Sequence, residues 1–189
     1  IERLYAKDAT LWKDEIEHIK IIKNSLGWLE IPEKMGKNVG EIEEFTRSIL
    51  QEKKFKYCVL LGMGGSSLAP EVLRTLFEKK EGLKTYILDT TNPDWIGDVE
   101  KKINLKETLF IFSSKSGGTV EPNSQFKYFY SKLKKITKRP GSHFIAITDS
   151  GTSLEATARK HSFRKIFINP SDIGGRFSAL SYFGLVPAS

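Results

Sequence analysis

Five short apolar runs constrain the fold of this chain more than any other feature. They are YCVLLG, KTYILD, TLFIFS, HFIAIT and KIFIN, and they begin at Tyr57, Lys84, Thr108, His143 and Lys165. The runs are rich in β-branched and aromatic residues and lack polar alternation, which is typical of strands buried on both faces. Helical stretches are predicted between and after them, over residues 69–80, 95–102, 122–137 and 153–161. This order predicts an α/β fold, a doubly wound parallel sheet of about five strands flanked by helices.

The residues before the first run have a different period. Apolar residues recur at helical spacing from Leu11 to Leu29 and predict one amphipathic helix, and a second helix is predicted over 39–53. The stretch EIPEKMGKNVG, which contains Pro32, Gly36 and Gly40, predicts a break in the helical pattern before the second helix. We therefore expect an N-terminal helical segment, residues 1–53, packed on a domain of residues 54–189. Because the chain starts and stops within apolar sequence, we also expect it to be a piece of a longer protein.

Composition excludes several classes of protein. The 189 residues are 39% hydrophobic and 28% charged, as in ordinary globular proteins. No apolar run approaches the ~20 residues that a membrane helix needs, and the start resembles no signal peptide. The lone Cys58 cannot form an intramolecular disulfide. We expect a cytoplasmic protein without a membrane partner.

The formal net charge of +7 raises the question of nucleic-acid binding. The lysines are mostly interspersed with acidic residues, and the one dense run, SKLKKITKRP from Ser131, is typical of a helix C-terminus. We therefore predict no nucleic-acid partner, although a mild positive field favours anionic metabolites.

A glycine-rich loop, GMGGSS, follows the first predicted strand. Its glycines allow positive φ and a close approach of ligand to backbone, and the next helix directs free amides toward the same place. An anion site and a tight turn without a ligand are equally consistent with this loop alone. A dinucleotide-binding loop is a competing interpretation, because the loop begins like the pattern G-x-G-x-x-G and Asp89 ends the next strand, where an acid can bind the ribose. Ser67, however, occupies the place of the third glycine. No G-K-[ST] occurs, which excludes a Walker loop.

A second loop, SSKSGGTVEP, follows the third predicted strand. Its hydroxyls and glycine amides, together with the helix that begins near Pro122, can surround a phosphate with neutral donors. Lys115 can add charge, although a lysine at a loop edge is more often solvated. Strand C-termini of a parallel sheet share one edge, so the two loops are expected to hold one ligand between them.

Near the C-terminus, two glycines precede Arg176 in GGRFSALSYFGLVP. A guanidinium close to a glycine turn can stabilise a developing oxyanion. The alternative is a salt bridge that ties this segment to the sheet.

The motifs LGMGGSSLAPEVL, SSKSGGTVEP and GGRFSALSYFGLVP, in this order, resemble the glucose-6-phosphate isomerase family and its sugar-isomerase domain. The residues of the first two motifs are also similar to those in the isomerase part of bacterial transaldolase/glucose-6-phosphate isomerase fusions. The resemblance covers about residues 54–189 and implies that Arg176 steadies an enediolate and that Glu121 occupies an acidic catalytic position. It implies substrate contacts from the first loop (Gly64, Gly65 and Ser66) and from the second (Ser114, Lys115, Ser116, Gly117, Gly118 and Thr119). The commoner family loop has threonine and an aromatic residue in place of Ser116 and Gly117.

The resemblance implies an aldose–ketose isomerisation of glucose 6-phosphate and fructose 6-phosphate through an enediol. The resemblance implies that the family's glutamate base, its histidine and a late lysine lie beyond the end of this chain. His18, His143 and His161 lie outside the motifs and are not expected to replace them. We expect this chain alone to bind a hexose 6-phosphate without turning it over. We predict no cofactor and no metal, and the family allows a homodimer of the full-length protein.

Two alternative functions remain open at this point. One is a non-catalytic phosphosugar-sensing domain that regulates a partner. The other is a dinucleotide-binding oxidoreductase domain, which the glycines of the first loop and Asp89 would serve.

Overall fold

A five-stranded parallel sheet forms the centre of the structure. The computed structural model describes residues 1–77 and 82–189. The strands are β1 (Tyr57–Leu61), β2 (Lys84–Leu88), β3 (Thr108–Ser113), β4 (Phe144–Asp149) and β5 (Lys165–Asn169). They lie in the order β2-β1-β3-β4-β5, and every neighbouring pair is parallel. The predicted sheet is confirmed, and the strand order reverses between β1 and β3.

Helices precede and connect the strands in the described residues. They are α1 (Glu2–Tyr5), α2 (Ile16–Lys23), α3 (Ile31–Gly36), α4 (Val39–Gln51), α5 (Leu68–Leu76), α6 (Pro93–Lys102), α7 (Val120–Lys134), α8 (Ser153–Lys160) and α9 (Tyr182–Ala188). The four helices predicted among the strands correspond to α5, α6, α7 and α8, with ends shifted by a few residues. Residues 78–80 of the helix predicted over 69–80 lie outside the described residues.

The single helix predicted from Leu11 to Leu29 is wrong. The chain there forms a 3₁₀ turn at Ala9–Leu11, then α2, then a second 3₁₀ turn at Gly27–Glu30. Tertiary contacts interrupt the helical pattern: Leu26 forms an isolated antiparallel bridge with Ile173. The predicted break is shorter than expected: α3 forms within it and holds Pro32 in its first turn, where no amide donor is needed, and the interruption lies between Gly36 and Val39.

The sheet is covered on both faces by separate apolar clusters. Residues of one strand alternate between them: Cys58 and Leu60 face one cluster, while Val59 and Leu61 face the other. The first cluster includes side chains of α3, α4 and α9, and the second includes side chains of α6, α7 and α8 (among them Ile42, Ile49, Phe183, Phe126, Phe129 and Leu154). The buried sheet is a rigid base for the loops at its edge.

The segment of residues 31–51 therefore packs on the sheet through buried side chains of α3 and α4. The division of the chain between residues 53 and 54 stays a prediction. Among the described residues, no helix is long and apolar enough to cross a membrane.

Candidate functional site

The two loops singled out in the sequence follow β1 and β3, which are direct neighbours in the sheet. Leu61 at the end of β1 pairs with Phe112, next to the last residue of β3. Both loops therefore leave the sheet at the same edge, where the strand order reverses. In open α/β sheets this is the place where a crevice forms and ligands bind.

The first loop is shaped by a close contact with the C-terminal segment. Gly64 has φ +55°, and Gly64–Ser66 form a 3₁₀ turn before α5. A Cβ on Gly65 would lie 2.1 Å from the carbonyl oxygen of Gly175, so only glycine fits without movement of the backbone. The buried Ser178 hydroxyl donates to the Gly175 carbonyl (2.7 Å) and lies 3.1 Å from that of Gly65.

The hydroxyl of Ser67 has a structural use in the same loop. It donates to the Gly64 carbonyl at 3.1 Å, and Ser67 is buried. Asp89, the second residue on which the dinucleotide interpretation depends, is exposed at the end of β2.

The second loop is organised around the buried side chain of Ser114. Its Oγ accepts a hydrogen bond from the Gly117 amide (3.2 Å) and lies 3.3 Å from Oγ1 of Thr119. Gly117 has φ +69°, and a Cβ there would lie 2.6 Å from the Leu154 amide nitrogen. The loop thus needs glycine at position 117 both for its backbone angle and for space.

Neighbouring side chains fix this loop from outside. The Asn123 amide donates to the carbonyls of Gly117 (2.9 Å) and Thr119 (2.7 Å), and Ser153 donates to that of Gly117 at 2.9 Å. These contacts use the carbonyls of the loop, and the first amides of α7, which have no partner within the helix, can donate to a bound anion.

A cavity of about 480 Å³ lies between the loops. Of the predicted site residues it is lined by Gly65, Ser66, Ser114, Lys115, Ser116 and Thr119. Residues that the sequence analysis did not single out complete the lining: Met63, Ser113, Asp149, Ser150, Thr152, Ser171, Gly175, Ser178 and Phe183. The lining is rich in hydroxyls, which suits a polar ligand with several acceptor atoms.

The other predicted residues do not line this cavity. Gly64, Gly117 and Gly118 lie in the loop backbones beside it, and Glu121 lies in the first turn of α7. Arg176 directly follows the lining residue Gly175, and its side chain is exposed. Within residues 1–77 and 82–189 the structure shows no ion pair for Arg176, so the salt-bridge alternative has no partner there.

The charged residues of the cavity lining are Lys115 and Asp149, and they form an ion pair. Lys115 Nζ contacts Asp149 Oδ2 and also donates to the Ser171 carbonyl at 2.8 Å. Burial raises the pKa of Asp149 above its usual value, and the ammonium of Lys115 opposes that shift. Lys115 is therefore paired and held in place, so of the two possibilities left open for it, simple solvation does not apply.

One signal in the sequence could have found the missed residues. Asp149 is the last residue of β4, and Ser150 and Thr152 follow it. Ser171 comes shortly after β5. The same strand-end rule that selected the first two loops applies to these positions, although neither turn matches a recognised ligand-binding motif.

The histidines and the cysteine lie away from the cavity lining. His143 is buried and its Nδ1 donates to the Thr108 carbonyl at 3.0 Å, while His161 contacts the Tyr130 hydroxyl at 3.0 Å. His18 is exposed beside Glu15. Cys58 is buried in the sheet, and burial raises the pKa of its thiol to about 12, so it is not a nucleophile at neutral pH.

Comparison with known proteins gives a consistent result. Residues 31–188 match the family model described as phosphoglucose isomerase. The chain is 36% identical over 179 residues to a glucose-6-phosphate isomerase of Carboxydothermus hydrogenoformans, covering 88% of this chain and 38% of the relative.

Solved structures agree with this match. A crystal structure of a hypothetical protein from Thermus thermophilus superposes with a TM-score of 0.81 and 30% identity, over 98% of this chain and 41% of that one. A glucose-6-phosphate isomerase from Chlamydia trachomatis superposes with a TM-score of 0.73 and 25% identity, over 98% of this chain and 34% of that one. The chain thus spans about two fifths or less of the length of these proteins. The chain belongs to the phosphoglucose isomerase family.

Proposed function

We propose that this chain is the phosphosugar-binding part of a glucose-6-phosphate isomerase, which interconverts glucose 6-phosphate and fructose 6-phosphate through an enediol. The observation that carries the proposal is the cavity between the β1 and β3 loops, where hydroxyls and amides converge at the edge at which the strand order reverses. The family match favours this function over a phosphosugar sensor and over a dinucleotide-dependent oxidoreductase.

The 6-phosphate is assigned to the β3 loop. Ser114 and Thr119 place their hydroxyl oxygens 3.3 Å apart, and α7, which is 15 residues long, begins directly after Thr119. Hydroxyl donors and the positive end of a helix together stabilise a dianionic ester. Ser116, Gly117 and Gly118 complete this loop, and Lys115 lies at its edge.

The sugar is assigned to the space beside the β1 loop. Gly65 and Ser66 line the cavity on that side, and the Gly65–Gly175 contact brings the segment that carries Arg176 next to it. The ring is placed there against the backbone of Gly65 and beside Ser66, which line that side of the cavity.

The chemistry needs a carboxylate base, a group that opens the ring and a cation for the enediolate. By family resemblance, Arg176 is that cation and Glu121 lies near the ring-opening group. The same resemblance implies that the base, the histidine and the late lysine belong to a part of the longer relatives that this chain does not match. On this proposal, the chain binds the ester and does not turn it over.

Calorimetric titration with fructose 6-phosphate or 6-phosphogluconate tests the phosphate assignment. A hydrogen bond to a charged group contributes about 1.5–3 kcal/mol, so Thr119→Val and Ser114→Ala are each expected to weaken binding by roughly tenfold to a hundredfold. Thr119→Ser retains the hydroxyl and should bind nearly as well as the unmodified protein.

Ser124→Ala is the matched control, because Ser124 is exposed on α7 and its hydroxyl donates to the Val120 carbonyl. Circular dichroism of each variant separates lost binding from lost fold. Unchanged affinity in both Thr119→Val and Ser114→Ala would contradict the assignment.

A further inference from the structure

The ion pair inside the cavity has a geometry that the phosphate assignment does not explain. Lys115 follows Ser114 in the β3 loop, and Asp149 ends β4. The Asp149 amide donates to the Lys115 carbonyl at 3.2 Å, and the two side chains also meet. Backbone and side-chain contacts therefore hold the same two residues together, so the pair is a fixed part of the cavity wall.

Most of the hydrogen-bonding capacity of Lys115 is used within the protein. An ammonium group has three N–H donors. One is directed to Asp149 Oδ2 and another to the Ser171 carbonyl, which leaves one for a ligand. The formal charge of Lys115 is also offset, because its carboxylate partner lines the same cavity.

One carboxylate oxygen of Asp149 is buried without a hydrogen-bond partner in the described part of the chain. The residue is 9% exposed, and among the described residues Oδ1 has no hydrogen-bond partner. A buried acceptor without a partner is unfavourable, and a second anion brought into the same cavity is repelled by it. Asp172 is the other carboxylate that acts on Asp149, and it pairs with Lys34 at 3.2 Å. The positive charge of Lys34 is therefore taken up by Asp172 and does not compensate the charge of Asp149.

We propose that Asp149 is a specificity-determining residue, which sets how strongly the cavity responds to the charge of the bound ester. With Asp149 present, the charges of the lining sum to zero. The ester is then held by directional hydrogen bonds from hydroxyls and amides, and discrimination is left to contacts with the sugar. Without Asp149, Lys115 becomes an unopposed cation and any dianion binds more tightly. This inference rests on the proposed binding of a phosphosugar in the same cavity.

The test compares glucose 6-phosphate with glucose 6-sulfate by calorimetry at pH 8. The phosphate ester is then a dianion, since its second pKa is about 6, whereas the sulfate ester is a monoanion of similar shape. In the unmodified protein we expect the two affinities to lie within about threefold. Asp149→Asn, which keeps an oxygen acceptor for Lys115, is expected to raise the phosphate-to-sulfate affinity ratio by about tenfold.

Asp98→Asn is the control, because it changes the net charge equally and Asp98 pairs with Lys101 on the exposed face of α6. Its ratio should stay at the unmodified value. Lys115→Met supplies a second variant: it should weaken phosphate binding more than sulfate binding, the opposite direction from Asp149→Asn. The phosphate-to-sulfate affinity ratio is compared because a general loss of structure would weaken the binding of both esters equally.

The outcomes separate the two proposals. If the phosphosugar binds and Asp149→Asn leaves the ratio unchanged, the role of Asp149 is refuted while the phosphosugar function stands. If neither ester binds to the unmodified protein or to the variant, both proposals fail. Should Asp149→Asn not fold, a phosphate preference above about threefold in the unmodified protein overturns the inference, and a ratio within about threefold supports it.

Discussion

The contact between two glycines decides where the C-terminal segment lies against the first loop. Gly65 has no room for a side chain, because the atom it would meet is a backbone carbonyl oxygen of Gly175. A backbone atom cannot rotate away as a side chain can. The Ser178 hydroxyl reinforces this contact, because it lies within hydrogen-bonding distance of the carbonyls of both glycines. One side of the cavity therefore depends on the absence of a side chain at Gly65.

Replacement of Gly65 by alanine is expected to lower the free energy of unfolding by about 1–3 kcal/mol, because the added Cβ forces the two backbones apart. The control is Gly97→Ala in α6, where the added Cβ meets nothing within 4 Å. There we expect a gain of about 0.4–1 kcal/mol, since alanine restricts the unfolded chain. Urea denaturation followed by circular dichroism measures both values. Equal stability of Gly65→Ala and the unmodified protein would show that the backbones are not in contact.

At the scale of elements, the N-terminal helices make very different use of their apolar residues. Helix α4 buries Ile42 and Ile49 in the cluster that covers one face of the sheet. Helix α2 has no buried residue, and its Ile21 is 65% exposed. The hydrophobic effect follows the area removed from water, so α4 supports the sheet and α2 contributes little.

This difference predicts opposite results for one substitution at two places. Ile49→Ala is expected to lower the free energy of unfolding by about 2–5 kcal/mol, because it leaves a cavity in the core. Ile21→Ala should change it by less than about 0.5 kcal/mol. Thermal and urea unfolding measure both variants, and similar losses at the two positions would mean that α2 is buried against something.

Across the whole molecule, the buried His143 and the half-buried His161 make stability depend on pH. His143 is 3% exposed and donates from Nδ1 to the Thr108 carbonyl. Burial lowers its pKa below 6.5, although the hydrogen bond to Thr108 opposes the shift. The pKa of His161 is lowered as well, again chiefly by burial.

The sign of the effect follows from linkage. Below pH 6.5 the unfolded chain takes up a proton on His143 before the folded protein does, so the unfolded state is favoured as the pH falls toward the folded pKa. We expect a lower free energy of unfolding at pH 5.5 than at pH 7.5. His143→Asn, which keeps an N–H donor and does not titrate, should reduce this slope, with the remainder due in part to His161. Denaturant unfolding over this pH range measures both proteins, and identical slopes would exclude His143 as a cause.

The strands and the two loops could be predicted because their signals are local. Each strand is a continuous run such as Phe110 to Phe112, whose lack of polar residues requires burial on both faces. The two glycine-rich loops could be recognised because their glycines and hydroxyl-bearing residues are adjacent in the sequence. The end of the helix expected from Leu11 to Leu29 could not be predicted from local signals, because Leu26 forms a bridge with Ile173, far along the chain, instead of continuing the helix.

The parallel sheet, the edge that carries the cavity and the hydroxyl-bearing loop from Ser114 to Thr119 follow from local sequence patterns, since periodicity and turn chemistry act between near neighbours. The partners of that loop do not, because they come from distant parts of the chain. Lys115 meets Asp149 and Ser171, which lie 34 and 56 residues further along the chain, and Ser178 meets Gly65 across 113 residues. Such pairs depend on how strands and their connections are arranged in space, and no local pattern of residues records that arrangement.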